Sequence, residues 1–325
     1  MPPSALWLLS CFILFWGSAA FGFDPDALKR LKETKQCVGC DLSGAVLQDF
    51  DLTQCNLSES NLDGVKLINM DLSKCNLSRA GLTKVAAPGS NFKETKLTEA
   101  LIRDSDFAGS DLTGADLSDA TIIKSNFQNS ILLHTDFIST AIFDSVFDDC
   151  DFSKARIIEL DVKKSSLQRA VFEGVDLQHS SFIDSNLQGS SFRKAKLRHA
   201  VMKSDNLSHA VFTGADLREA VLAKSDLREA SIDNVTGVHT DFNRTKLTGA
   251  DLSGSDFSFA NFMHTDLSAA IIGSTIFVRA DLRGSKLHEE DLNLDKICGS
   301  KLPSSKPVPA CSILRSNVTA AALSP

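Results

Sequence analysis

The chain has 325 residues, a formal net charge of −7 and a pI near 5.5, so it lacks the Lys/Arg excess with which a general nucleic-acid binder displaces counterions. Apolar residues make up 43 % of it, enough to build a core and to exclude a wholly disordered chain. Tyrosine is absent, and both tryptophans, Trp7 and Trp16, stand near the N-terminus.

Residues 1–22 read as a signal peptide. Ala5 to Trp16 is a short apolar run, and the small residues Ser18, Ala20 and Gly22 suit a leader peptidase. The alternatives are an uncleaved anchor from Ala5 to Phe23, marginal against the ~20 residues a bilayer needs, and a lipid-modified Cys11, disfavoured because the apolar run continues past it. Cleavage leaves no stable membrane span and places the mature chain outside the cytoplasm, secreted, periplasmic or in another compartment reached by Sec-type export. Residues 23–40 then predict an N-terminal cap. Asp24-Pro25-Asp26 is an acidic, Pro-containing helix start, and Ala27, Leu28 and Leu31 supply one apolar face.

From 41 to 302 one rule governs the chain. Every fifth position from Leu42 to Leu302, 53 centres in all, is Leu, Ile, Phe, Val or Met, except Ala87 and Gly237. The residue two before each centre is nearly always small, as at Ala115, Ser125 and Thr135. Two residues at spacing two share a side only on extended backbone. An odd period would throw alternate centres onto opposite faces of a straight strand, so the chain must turn within every unit. The expected result is a narrow tube filled by one small and one large side chain from each short side.

Four units per coil are indicated by positions twenty apart. Lys84, Asp104, Lys124, Asp144, Lys164 and Asp184 alternate in sign at every such step, and a ladder of exposed pairs would favour this register at ~0 to 1 kcal/mol each. Phe107, Phe127 and Phe147 form one expected interior stack, and Phe152, Phe172, Phe192 and Phe212 another. Units such as Ala115-Asp116-Leu117-Ser118-Asp119 and Ala215-Asp216-Leu217-Arg218-Glu219 resemble those of pentapeptide-repeat proteins. The resemblance implies an all-β fold, a right-handed quadrilateral β-helix. The N-terminal helix would then close an end that otherwise exposes strand edges.

Departures from the rule predict local events. Ala87-Pro88-Gly89 should distort the coil, Gly237 should be a weak point, and Asp205, at an inward small position, should bulge outward because a buried carboxylate is costly, with a functional buried carboxylate as the alternative. Outward apolar residues Ile123 and Phe143 on one edge and Ile138 and Ile158 on another, with Leu133 between them, are a candidate interaction patch, coverable by the C-terminal tail or by a partner. His179, His199 and Glu219, in a column with Glu159 and His239, are candidate metal ligands; the simpler reading is exposed turn residues.

After Leu302 the pattern ends in a tail, residues 303–325. Cys298 and Cys311 flank its start and Cys37 and Cys40 lie at the other end, so terminal disulfides are expected, with unpaired thiols as the alternative and, for the latter pair, a redox pair or half a zinc site. Cys55, Cys75 and Cys150 fill inward slots and read as core residues. No phosphate-binding glycine loop, nucleophile elbow or metalloprotease helix occurs, and no cofactor is expected. The function expected is that of an exported, non-enzymatic scaffold that binds another protein and not nucleic acid directly. The alternative comes from the resemblance, since some family members protect gyrase: an acidic DNA mimic acting on a type II topoisomerase.

Overall fold

Two local devices turn the quintets. The Asp or Asn before the large centre accepts the backbone N–H two residues on, as in Ser43 N to Asp41 Oδ1 (3.0 Å), Thr113 N to Asp111 Oδ1 (3.0 Å) and Ser253 N to Asp251 Oδ1 (2.9 Å). Two residues after the centre the backbone enters the left-handed region. Apart from Lys35, every residue with positive φ occupies this position, among them Lys84, Asp104, His179 and Phe259. A non-glycine residue there costs ~1–2 kcal/mol, which the turn bond and the inter-coil ladder offset.

The computed structural model describes residues 22–293, 296–304, 306, 308 and 311. The expected leader, apart from Gly22, and most of the tail lie outside the described residues. Within them the chain winds as a parallel β-solenoid, and residues twenty apart pair from Gln36↔Asn56 to Asp281↔Lys301. The 260 residues from centre 42 to centre 302 therefore make about thirteen coils. The ladder is regular: Leu42 N donates to Asn61 O (2.8 Å) and Asn61 N to Cys40 O (2.8 Å), joining each coil to the next.

Where outward residues favour extended backbone, the bridges lengthen into three-residue strands. On one face these are β1 (Gly81–Thr83), β2 (Leu101–Arg103), β3 (Thr121–Ile123), β5 (Ala141–Phe143), β7 (Asp161–Lys163), β8 (Ser181–Ile183) and β9 (Val201–Lys203), in that order in one parallel sheet. On the preceding face β4 (Asp136–Ile138) pairs with β6 (Arg156–Ile158).

The tube is filled as expected. Ring centroids in the Phe107–Phe127–Phe147 stack are 4.9 and 4.7 Å apart, and those from Phe152 to Phe212 lie 4.6, 5.1 and 4.9 Å apart. The small inward slots also carry hydrogen bonds. Thr95, Thr135, Thr140 and Thr245 hydroxyls each donate to a carbonyl of the coil below at 2.9 Å, so the core is apolar at its centre and hydrogen-bonded at its wall.

Helix α1 (Pro25–Thr34) covers the N-terminal end. Asp24 caps it by accepting from Asp26 N (2.9 Å), Pro25 opens it, and Lys35 ends it in the left-handed region. Ala27 and Leu31 are its buried residues, and Asp24 N donates to Asp41 O (3.1 Å) of the first coil. At the other end a disulfide joins Cys298 to Cys311, and Val308 packs against the core.

Four expectations are corrected. Pro88 does not distort the coil: Ala86 still pairs with Asp106, and Gly89 N donates to Ala108 O (2.9 Å). In units with Asp or Asn before the centre the amide at Pro88's position serves the turn bond, and with Ala86 preceding there is no such acceptor to lose. Gly237 is not a weak point, because the Phe257 ring occupies the space its side chain would take; a Cβ there would meet ring carbons at 2.4 Å. Cys55 and Cys75 are not free core thiols but a disulfide across adjacent coils. Asp205 does not bulge outward and is 2 % exposed.

Candidate functional site

The outward apolar residues fall on three faces of one region of the tube. Ile123 pairs with Phe143 and Ile138 with Ile158, each across one coil step. Leu133 does not lie between these pairs: its centre, Leu132, precedes the Ile138 face, so the order around the tube is Leu133, Ile138/Ile158, Phe143. Ile158 is 43 % exposed, and Ile131 (44 %) and Leu101 (38 %) extend the belt. Ile123, Leu133, Ile138 and Phe143 are half-buried, and Lys163 Nζ lies 5.6 Å from the centre of the Phe143 ring.

The histidine column is also brought together, in a different geometry from a ligand set. The His179 and His199 rings stack with centroids 5.1 Å apart and planes 14° off parallel. A metal binds in the plane of an imidazole at ~2 Å, and two stacked planes this far apart share no such point. Glu219 is engaged by His199 Nδ1 (3.4 Å) and Arg198 Nη2 (3.2 Å). Among the described residues no group of three His, Cys, Asp or Glu side chains is placed to hold a metal ion. Farther along the column His239 stacks on Phe259 at 4.9 Å, and Arg279 lies 5.4 Å above that ring.

The alternating column from Lys84 to Asp184 keeps its register, yet no ion pair forms within it among the described residues. Ion pairs do cross coils elsewhere. Arg79 lies between Glu59 (3.8 Å) and Glu99 (3.0 Å), and Arg169 meets Asp149 at 2.6 Å.

A feature that sequence reasoning missed is an interior ladder of serines. The amide of Val85 donates to Ser105 Oγ, and the same bond repeats from Ser105 to Ser125, Ser145, Ser165 and Ser185 at 2.9–3.2 Å. Asp205 takes the next rung, accepting from Ser185 N at 2.7 Å while its own amide donates to Ser225 Oγ at 3.1 Å. Its second oxygen is buried without a partner. Burial first, and the nearby Asp184 charge, push its carboxyl up to about 8. The available signal was Ser at every twentieth position from 105 to 185.

Among the described residues three disulfides form: Cys37–Cys40, Cys55–Cys75 and Cys298–Cys311. Cys150 is a buried free thiol, with its pKa pushed by burial up to about 12, so it is inert as a nucleophile at neutral pH. Among the described residues no helix is long and apolar enough to cross a membrane.

A tube of stacked quintets defines a repeat β-solenoid. The family model for pentapeptide repeats matches eight copies, over residues 40–79, 90–129, 165–203, 206–236 and 238–268, and the chain belongs to that family. No curated protein sequence matches it. Among solved structures it is similar to HetL of the cyanobacterium Nostoc sp. strain PCC 7120, a pentapeptide repeat protein involved in heterocyst differentiation regulation. There the identity is 22 %, the match covers 77 % of this chain and 90 % of HetL, and the TM-score is 0.31. Full-length QnrB1, a plasmid-mediated fluoroquinolone resistance protein, is 22 % identical over 65 % of this chain and 91 % of its own, with a TM-score of 0.29. A pentapeptide repeat protein from the Arabidopsis thaliana thylakoid lumen is 20 % identical over 61 % and 82 % of the two chains, with a TM-score of 0.11.

Proposed function

We propose that this protein is an exported, non-enzymatic scaffold that binds another protein through the apolar belt centred on Ile138 and Ile158. The observation that carries the reading is the belt itself. Exposed apolar residues also occur elsewhere, as at Val46, Ile68 and Ile271, but here Ile123 with Phe143 and Ile138 with Ile158 pair across coil steps on neighbouring faces, and such a group of outward apolar residues marks a contact surface. Export is supported by the three disulfides, which persist in oxidising compartments, and by the leader-like first residues. The DNA-mimic reading has less support, because Arg79 and Arg169 interrupt the acidic columns they pair with. The metal reading of His179, His199 and Glu219 requires both rings to leave their stack.

The test is a photo-crosslinking residue at position 158, with position 168, two units on and so on the opposite face, as control. Expressed in its own exported compartment, the protein should crosslink one partner from 158 and not from 168. With the crosslinker kept at 158, Ile131→Lys with Ile138→Lys should abolish the product without changing the melting temperature, since surface substitutions alter stability by only ~0.5 kcal/mol. Equal crosslinking from both faces, or a product that survives the double substitution, contradicts the proposal.

A further inference from the structure

The Cys37–Cys40 bond differs from the other two disulfides in what surrounds it. Its cysteines occupy a large centre and a small slot of the first coil, 1 % and 5 % exposed beneath α1. Nη2 of Arg30, on that helix, donates toward Cys40 Sγ at 3.0 Å, and lies 3.9 Å from Cys37 Sγ. The Ala27 carbonyl lies 3.3 Å from Cys37 Sγ. A disulfide sulfur is a weak acceptor, so the guanidinium gains little from it. A Cys40 thiolate at the same place would form an ion pair with Arg30, and a Cys37 thiol would have Ala27 O as its acceptor. The surroundings thus suit the reduced pair, one sulfur charged and the other protonated, as well as the oxidised one.

We infer that Cys37 and Cys40 form a dithiol–disulfide exchange centre, with Arg30 stabilising Cys40 as the leaving thiolate and α1 as its cover. A thiolate of a partner dithiol attacks Cys37 Sγ. The Cys37–Cys40 bond breaks, and Cys40 leaves as a thiolate on Arg30. The partner's second thiol gives up its proton and attacks its own sulfur in the mixed disulfide, which releases Cys37, protonated, to donate to Ala27 O. Two electrons pass to the pair, and the partner dithiol becomes a disulfide. A low leaving-thiol pKa speeds the first step. Access requires α1 to lift, and only Ala27 and Leu31 of that helix are buried.

The test uses the full chain with dithiothreitol as the dithiol, timed quenching by alkylation, and mass spectrometry of each cysteine. Cys37–Cys40 should open before Cys55–Cys75. Arg30→Ala should slow its opening roughly three- to tenfold, with Arg30→Lys close to wild type. In the reduced protein the pH midpoint for alkylation of Cys40 should rise in Arg30→Ala, a shift that mere loosening of α1 does not produce. The inference is overturned if Cys37–Cys40 opens no sooner than Cys55–Cys75, if Arg30→Ala opens as fast as wild type or faster, or if the alkylation midpoint does not move.

Discussion

The backbone amide of Ser185 donates to the carboxylate of Asp205 at 2.7 Å, where every lower rung of the same ladder ends on a serine hydroxyl. A serine there accepts one bond and donates another, as Ser185 does to Ile183 O (3.1 Å). An ionised carboxylate only accepts, so one of its oxygens is left buried and unpartnered.

In the folded chain the Asp205 carboxyl is raised to about 8 from 3.8, so between these values the unfolded chain binds fewer protons than the folded one. Its contribution to stability is therefore fully present below pH ~4, declines through the interval and is lost above pH ~8, a difference on the order of 5 kcal/mol. Asp205→Ser should raise the melting temperature at pH 8 and flatten its decline between pH 4 and 8. An unchanged slope in that variant would place the pH dependence elsewhere.

The Cys55–Cys75 bond closes a twenty-residue circuit, and removing a loop of that size from the unfolded ensemble is worth about 3 kcal/mol. Cys55→Ser with Cys75→Ser should lower the denaturant midpoint accordingly. Non-reducing peptide mapping should recover the two cysteines in one linked fragment. Recovery of Cys55 and Cys75 as free thiols from oxidised protein would contradict the pairing.

Gly237 and Phe257 should behave as one unit. Gly237→Ala places a methyl against the ring carbons at 2.4 Å and should destabilise by ~1–3 kcal/mol. Phe257→Leu, which removes the ring, should recover part of that loss when the two are combined. Strict additivity in the double-mutant cycle would show that the ring does not fill the glycine's space.

Titration with zinc examines the histidine column. With the rings stacked and Glu219 held by Arg198 and His199, calorimetry at neutral pH should show no saturable site. A site that binds zinc and is lost in His179→Ala with His199→Ala would mean that the stack opens to form a ligand set.

Most of the tube was legible from residue spacing, because each unit solves its geometry locally. The small residue and the centre point inward, the Asp or Asn makes the turn bond, and the fifth position absorbs the left-handed backbone. The Phe107 and Phe152 stacks followed from the twenty-residue register alone. The departures were misjudged for a common reason. Pro88, Gly237 and Asp205 were each weighed against the ideal unit, whereas their fate depended on a neighbour twenty residues away or on a turn bond that their own unit lacked.

From sequence alone came the period, the inward pairs, the four-unit coil and the residues that line each outward column, since these follow from which backbone angles and side-chain volumes a quintet permits. Only the tertiary structure decided what stacked neighbours do to one another. Ring planes turned the histidines into a stack, a phenyl ring filled a glycine's place, two cysteines one coil apart became a bond, and a serine ladder enclosed an aspartate. Register brings such groups within ~5 Å, but their bonding depends on side-chain direction and on the shape of the space between coils, neither of which is written in spacing.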